Sequence, residues 1–179
     1  MPTNVGNSRD ADDLCRISFG FRCDDGGVDE LDVAIVAALQ ADGRRSNRDL
    51  AAELGVSPST TLERVRALRH SGVLAGVHFV VDPARLGRPV QAMITVRLRP
   101  QSREVVLGFR NFVTTLPETL QVFVTTGAED VLVHVAVPST QALRDFVLDS
   151  LTKRREVAGV RTEVVFDHER KHVVPPVSG

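Results

Sequence analysis

Between Asp29 and Gly72 apolar residues recur three times at the spacing of one helix face, and glycines and small hydroxyl residues separate the runs. Leu31, Ile35, Val36 and Leu39 share one side of a first helix, which Asp29 can cap and whose positive end suits Glu30 and Asp32. This helix is expected to reach about Ala41 and to end at Gly43. Ser46-Asn47-Arg48-Asp49 has the form of a capping box and opens a short second helix with Leu50, Ala51 and Leu54 inward. Gly55 stands where a left-handed residue terminates such a helix. Ser57 then caps a third helix with Pro58 at its first position, where a missing N–H does no harm. Leu62, Val65 and Leu68 supply its expected buried stripe, and Gly72 stops it. Two helices joined by a short glycine-containing turn, behind a supporting helix, make a helix-turn-helix.

The period then changes. The mostly apolar run Val73–Val81 reads as a strand, and Asp82-Pro83 and Gly87-Arg88-Pro89 mark a linker. From Val90 to Leu98 the chain alternates, with Val90, Ala92, Ile94, Val96 and Leu98 on one face and Gln91, Thr95 and Arg97 on the other. A helix over Glu104–Leu116, strands over Thr119–Thr126 and Val131–Val137, a helix over Thr140–Lys153 and a strand over Val160–Phe166 follow. The order β-α-β-β-α-β is that of a ferredoxin-like sandwich, with both helices on one face of an antiparallel sheet. Met93 and Phe123 alternate toward the other face, which a two-fold symmetric dimer would cover most economically. The expected class is therefore α+β: a winged-type helix-turn-helix domain followed by a ferredoxin-like βαββαβ sandwich. The expected divisions are a tail without fixed structure at 1–28, the DNA-binding domain at 29–75, strand and linker at 76–89, an effector-binding and oligomerisation domain at 90–173, and a C-terminal tail at 174–179.

Charge sharpens this picture more than composition does. Hydrophobic residues at 42% and charged residues at 25% are ordinary for a globular chain, which leaves the function open. No run approaches the length of a membrane span and no signal-peptide pattern opens the chain, so a cytoplasmic address and no membrane partner are expected. Cys15 and Cys23 are too few for a disulfide framework and lack zinc-site spacing. The net charge of −1 hides a segregation. Arg44, Arg45, Arg48, Arg64, Arg66 and Arg69 face only Asp49, Glu53 and Glu63 between Arg44 and His70, whereas the first thirty residues hold seven acids against three arginines. Local positive charge on the helix-turn-helix is what a duplex requires.

With Leu62, Val65 and Leu68 inward, Ser59, Thr60, Glu63 and Ala67 of the third helix point outward, flanked by Arg64 and Arg66. Small hydroxyls can approach base edges, a carboxylate can accept from cytosine N4, and arginines can bind guanine or phosphate. Arg44, Arg45, Ser46 and Arg48 surround the start of the second helix, where amides and positive charge favour phosphate. With Ser57 and Thr61 these residues form the candidate DNA-binding set. Five histidines (70, 78, 134, 168, 172) do not converge by spacing, and His168-Glu169-x-x-His172 lacks the helical context of a zinc protease. No catalytic set, metal site or cofactor is expected.

Several of these motifs, in order, resemble one family. Leu31-Asp32, Gly43-Arg44-Arg45-Ser46-Asn47, the run Ser57-Pro58-Ser59-Thr60-Thr61-Leu62-Glu63-Arg64-Val65-Arg66-Ala67-Leu68, Gly72-Val73-Leu74-Ala75-Gly76 and Gly127-x-x-Asp130 are similar to the leucine-responsive regulator/AsnC (feast/famine) family over about residues 29–173. The resemblance implies a transcriptional regulator that binds double-stranded DNA, forms homodimers that assemble to tetramers or octamers, and responds to a small-molecule effector, an amino acid. It also implies an effector site between subunits, touched by the loop Thr125, Thr126, Gly127, Ala128, Glu129 and Asp130. There glycine would let the backbone approach a ligand and Asp130 would pair with an ammonium. The chain departs from the family at Glu129, where an aromatic is common, at Pro138-Ser139 in place of proline–aspartate, and at Val77-His78-Phe79, which implies an altered choice of effector. Two other readings of the same architecture are a nucleoid-type DNA-wrapping protein and an enzyme resembling the sirohaem decarboxylases.

Overall fold

The computed structural model describes residues 28–175. Except for Val28, the expected N-terminal tail lies outside the described residues, as do Cys15, Cys23 and residues 176–179. The described chain divides into two units, residues 28–79 with 170–175 and Val80–Glu169.

The first unit is built from α1 (Glu30–Ala41), α2 (Asn47–Leu54) and α3 (Pro58–His70). Each begins at a side-chain cap. Asp29 accepts the Asp32 N–H while the Asp32 carboxylate accepts the Asp29 N–H, a reciprocal capping box. Ser46 accepts the Asp49 N–H, and Ser57 accepts the Thr60 N–H ahead of Pro58. Gly55 ends α2 at φ 68°, ψ 29°, the left-handed conformation expected of it. The first helix differs in that Asp42, in extended conformation, is its C-terminal cap, one residue before Gly43.

Ile35, Ala38, Leu50, Val65 and Leu68 form the core of this unit, with Leu31, Val36, Leu39, Leu54 and Leu74 packed around them. The buried stripe of α3 is Thr61, Val65 and Leu68, and Leu62 is only half-buried. The spacing i, i+4, i+7 explains the difference, because it keeps three side chains within one narrow face. The Thr61 hydroxyl tolerates burial by donating to the Ser57 carbonyl at 3.2 Å.

The strand expected over Val73–Val81 is absent, and with it any wing strand among the described residues of this unit. A ladder needs a neighbour, and no described strand pairs with this run. Apart from Leu74, which packs on the helical core, its side chains are exposed, Phe79 at 82%.

The second unit contains β1 (Val90–Leu98), α4 (Arg103–Thr114), β2 (Thr119–Val124), β3 (Val131–Val137), α5 (Thr140–Asp145) and β4 (Val157–Val165). The strand order is β2-β3-β1-β4, antiparallel throughout, as the ferredoxin-like reading requires. Ala92, Ile94, Val96 and Leu98 of β1 and the odd-numbered valines 131–137 of β3 are buried together with Phe109, Val113, Leu143, Phe146 and Leu151 from the helical side. The helix expected to run through Lys153 changes to a π-helical turn at Phe146–Leu151. The wider turn lets Phe146 and Leu151, five residues apart, both face the core.

On the other face of the sheet, cross-strand pairing sets out two rows. Phe123, Leu132, Thr95 and Arg161 make one row, and Gln121, His134, Met93 and Glu163 the next. Phe123, at 44% exposure, is open to solvent.

Candidate nucleic-acid interface

The outward side of α3 follows from its buried one. Ser59, Glu63, Arg66 and His70 recur at helical spacing opposite Thr61, Val65 and Leu68, and all four are exposed. Ala67 is exposed beside them and Thr60 is half-buried. At the start of the helix three hydroxyls cluster: Ser57 Oγ lies 2.8 Å from both Ser59 Oγ and Thr60 Oγ1. Arg66 belongs to the outward stripe itself and makes no ion pair among the described residues. Such a surface presents hydroxyl donors, one carboxylate and one free guanidinium, a set suited to base edges and phosphate.

The other arginines divide by their partners. Arg48, on the first turn of α2, is exposed and unpaired among the described residues. Arg44 is well exposed, with Asp42 at 3.9 Å. Arg45 is paired with Glu53 across α2. Ser46 Oγ donates to the Asp49 carboxylate at 2.7 Å, and this bond, with the Ser46 N–H, holds Asp49 below the ordinary carboxylate range. Two of the expected contacts have other employment. Thr61 points into the core, so it does not face a duplex. Arg64 turns back onto α1, with Nη1 2.6 Å from Asp29 Oδ2 and 3.2 Å from Asp32 Oδ2. The sequence offered Asp29 only as the cap and Asp32 only as a first-turn acid of α1, and nothing local pointed to Arg64, thirty-two residues from Asp32, as their partner.

The loop between β2 and β3 is a tight exposed turn. The Thr125 N–H donates to the Asp130 carbonyl at 3.0 Å, and the Thr125 hydroxyl to the Glu129 carbonyl at 2.8 Å. Gly127 has φ 150°, a conformation that disfavours any side chain. Thr125, Thr126, Gly127 and Ala128 are exposed and Glu129 is half-buried. Asp130 is different: at 4% exposure, its carboxylate accepts the Leu98 N–H at 2.7 Å and an amide hydrogen of Gln101. The expected ammonium partner is therefore, in this chain, an internal anchor joining the loop to the end of β1.

Comparison with known proteins completes the picture. Residues 28–69 match the model of the AsnC-type helix-turn-helix domain, and residues 91–174 that of the Lrp/AsnC ligand binding domain. The HTH-type transcriptional regulator AldR of Mycolicibacterium smegmatis is 38% identical over 143 residues, covering 80% of this chain and 84% of the relative. A transcriptional regulator from Neisseria meningitidis, solved in complex with L-methionine, superposes with a TM-score of 0.75 at 27% identity, over 83% of this chain and 97% of that one. A feast or famine regulatory protein from Mycobacterium tuberculosis, also complexed with L-methionine, gives 0.72 at 26% identity, over 83% and 100%. The chain belongs to the Lrp/AsnC family of transcriptional regulators.

Within this Lrp/AsnC regulator two further arrangements escaped the sequence. The histidines do converge in one place: the rings of His134 and His168 meet edge to face with centroids 5.9 Å apart, and His134 Nε2 lies 3.0 Å from Gln91 Oε1. Burial, and then the nearby His168, hold His134 below its ordinary value. In the first unit the Gln40 amide makes both hydrogen bonds to the main chain of Val174, at 3.1 and 2.6 Å, like a neighbouring strand. Val174 thereby borders a groove of about 830 Å³ that Arg69 and His78 also line. No described helix is long and apolar enough to cross a membrane.

Proposed function

We propose that this regulator works as a homodimer, assembling further to tetramers or octamers, that sets two copies of α3 in successive major grooves and is tuned by an amino acid. The outward Ser59–Glu63–Arg66 stripe on a helix capped at Ser57 is the single observation that carries the DNA-reading half of this assignment. Arg44 and Arg48 complete the contact set as phosphate-positioning charges. Support for the dimer comes from the uncovered sheet face around Phe123, Leu132 and Met93, and from the mostly apolar run Val77–Val81, which pairs with no strand among the described residues and is an open template for strand pairing. Support for an amino-acid effector comes from the two relatives solved with L-methionine. The exposed turn Thr125–Glu129 then supplies backbone N–H groups and the Glu129 carboxylate, while Asp130 shapes it from behind. Such a protein acts in the cytoplasm, on the chromosome.

Selection of duplexes from a random pool by the full chain, with and without each amino acid, tests the assignment. Expected are enriched sites with two related half-sites about one helical turn apart, and a shift in affinity with one or a few amino acids, polar or cationic ones foremost because of Glu129. Enrichment of no sequence, or indifference to all twenty amino acids, overturns the corresponding half.

A further inference from the structure

Arg64 is the one arginine of α3 that is engaged within its own unit among the described residues. Its Nη1 spans two carboxylates that are themselves fixed. Asp29 Oδ1 accepts the Asp32 N–H at 2.9 Å, and Asp32 Oδ2 accepts the Asp29 N–H at 3.4 Å. The Asp32 side chain is only 12% exposed, so the clamp is rooted in the first turn of α1. The Asp32 N–H above all, and the Arg64 guanidinium with it, keep the Asp29 carboxyl below the ordinary range against an opposing desolvation.

The aliphatic core sets the distance between α1 and α3, because Val65 and Leu68 pack with Ile35, Ala38 and Leu50. Apolar contacts are not directional and resist a roll of α3 about its axis only weakly. A charge-assisted hydrogen bond on the flank of the helix, about 100° from Val65, resists that roll directly. The same cluster is a poor receptor for a phosphate, since two carboxylates against one guanidinium leave it net negative.

We propose that Arg64 is a positioning residue: clamped by Asp29 and Asp32, it sets the roll of α3 and thereby the aim of Ser59, Glu63 and Arg66, while Arg66 supplies the charge that meets DNA. This inference rests on α3 being the reading helix.

The test uses the full chain, a fluorescent duplex enriched by the wild-type protein and a scrambled duplex, with affinity read by anisotropy over a salt series. Arg66→Gln flattens the slope of log K against log salt by about 1, as loss of a phosphate contact does. Arg64→Gln is expected to keep the wild-type slope and to weaken the enriched duplex about tenfold while sparing the scrambled one. Arg64→Lys restores part of that loss. Asp29→Asn, which retains the cap, lowers the same selectivity, and adding it to Arg64→Gln causes no further loss because the pair acts as a unit.

A slope flattened by about 1 in Arg64→Gln, with both duplexes weakened alike, is the mark of a phosphate contact and overturns the inference. Additive losses overturn it too. Should Arg64→Gln fold poorly, Asp29→Asn decides alone, and unchanged selectivity in that variant counts against the clamp. Enrichment by the wild-type chain and the Arg66→Gln slope judge the underlying DNA reading separately.

Discussion

The Asp130 carboxylate accepts the Leu98 N–H deep in the second unit, and a backbone donor left there without a partner costs about 1–3 kcal/mol. Asp130→Ala is therefore expected to lower the stability of the chain by about 2 kcal/mol, read as a shift of the urea midpoint. Asp130→Asn keeps one oxygen for Leu98 and loses less. Loss of amino-acid response in Asp130→Ala with an unshifted midpoint would show a ligand group after all. The same logic separates Thr61 from its neighbours. Its type and place in the run suggested a base contact, because nothing in a row of hydroxyl residues says which one turns inward. Only the shared spacing with Val65 and Leu68 does, and the bond to the Ser57 carbonyl makes that choice tolerable. Single side chains that swap an outward role for an inward one are hard to read from sequence, since their partners lie elsewhere in the chain: Leu98 for Asp130, Asp29 and Asp32 for Arg64.

Elements were legible wherever their signals are local. Ser46, Ser57, Pro58 and Gly55 mark helix ends through bonds within three residues or through a backbone angle, and they stand where expected. Gly55 has open space where a Cβ would sit, so substitution there is penalised by conformation alone. Gly55→Ala is expected to lower stability by about 1 kcal/mol and Gly55→Asn by less, which thermal melts of both variants would measure. The run Val73–Val81 departs from its expected strand for the complementary reason. Its composition favours a strand, but pairing is non-local, and no described strand lies beside it. On β3, a non-local neighbour produces a pH response. His134 is held below its ordinary value by burial and by His168, and its row also carries Gln121, Met93 and, one strand further, Glu163. A histidine depressed in the fold favours the neutral form, so its stabilising contribution is complete above about pH 6.5 and is lost as pH falls through the folded value. Melting temperature should decline on acidification below that point, and His134→Gln should flatten the decline. An unchanged profile in that variant would assign the effect to other groups.

At the scale of the whole molecule, the question is what covers the sheet. Helices bury the centre of one face, whereas the opposite face exposes Phe123 beside half-buried Leu132 and Met93, with Arg161 and Glu163 at the β4 edge. An apolar centre with a charged margin is the anatomy of an interface, and in the proposed dimer a second copy of the same face would meet it with matching apolar area. Phe123→Glu places a carboxylate in that centre. In a single chain the side chain is already half in water and the change is mild, but between two sheets it leaves a buried charge without a partner, which is strongly unfavourable. The variant is therefore expected to keep the wild-type circular dichroism spectrum while light scattering shows a smaller assembly. DNA affinity should fall with it, by about a hundredfold or more, because two recognition helices no longer bind as one linked unit. Restoring the link by fusing two variant chains should recover much of the loss without changing which duplex is preferred. If Phe123→Glu instead keeps both the wild-type mass and the wild-type affinity, the sheet face is not the interface. The unpaired run Val77–Val81 would then be the surface on which to look for the subunit contact.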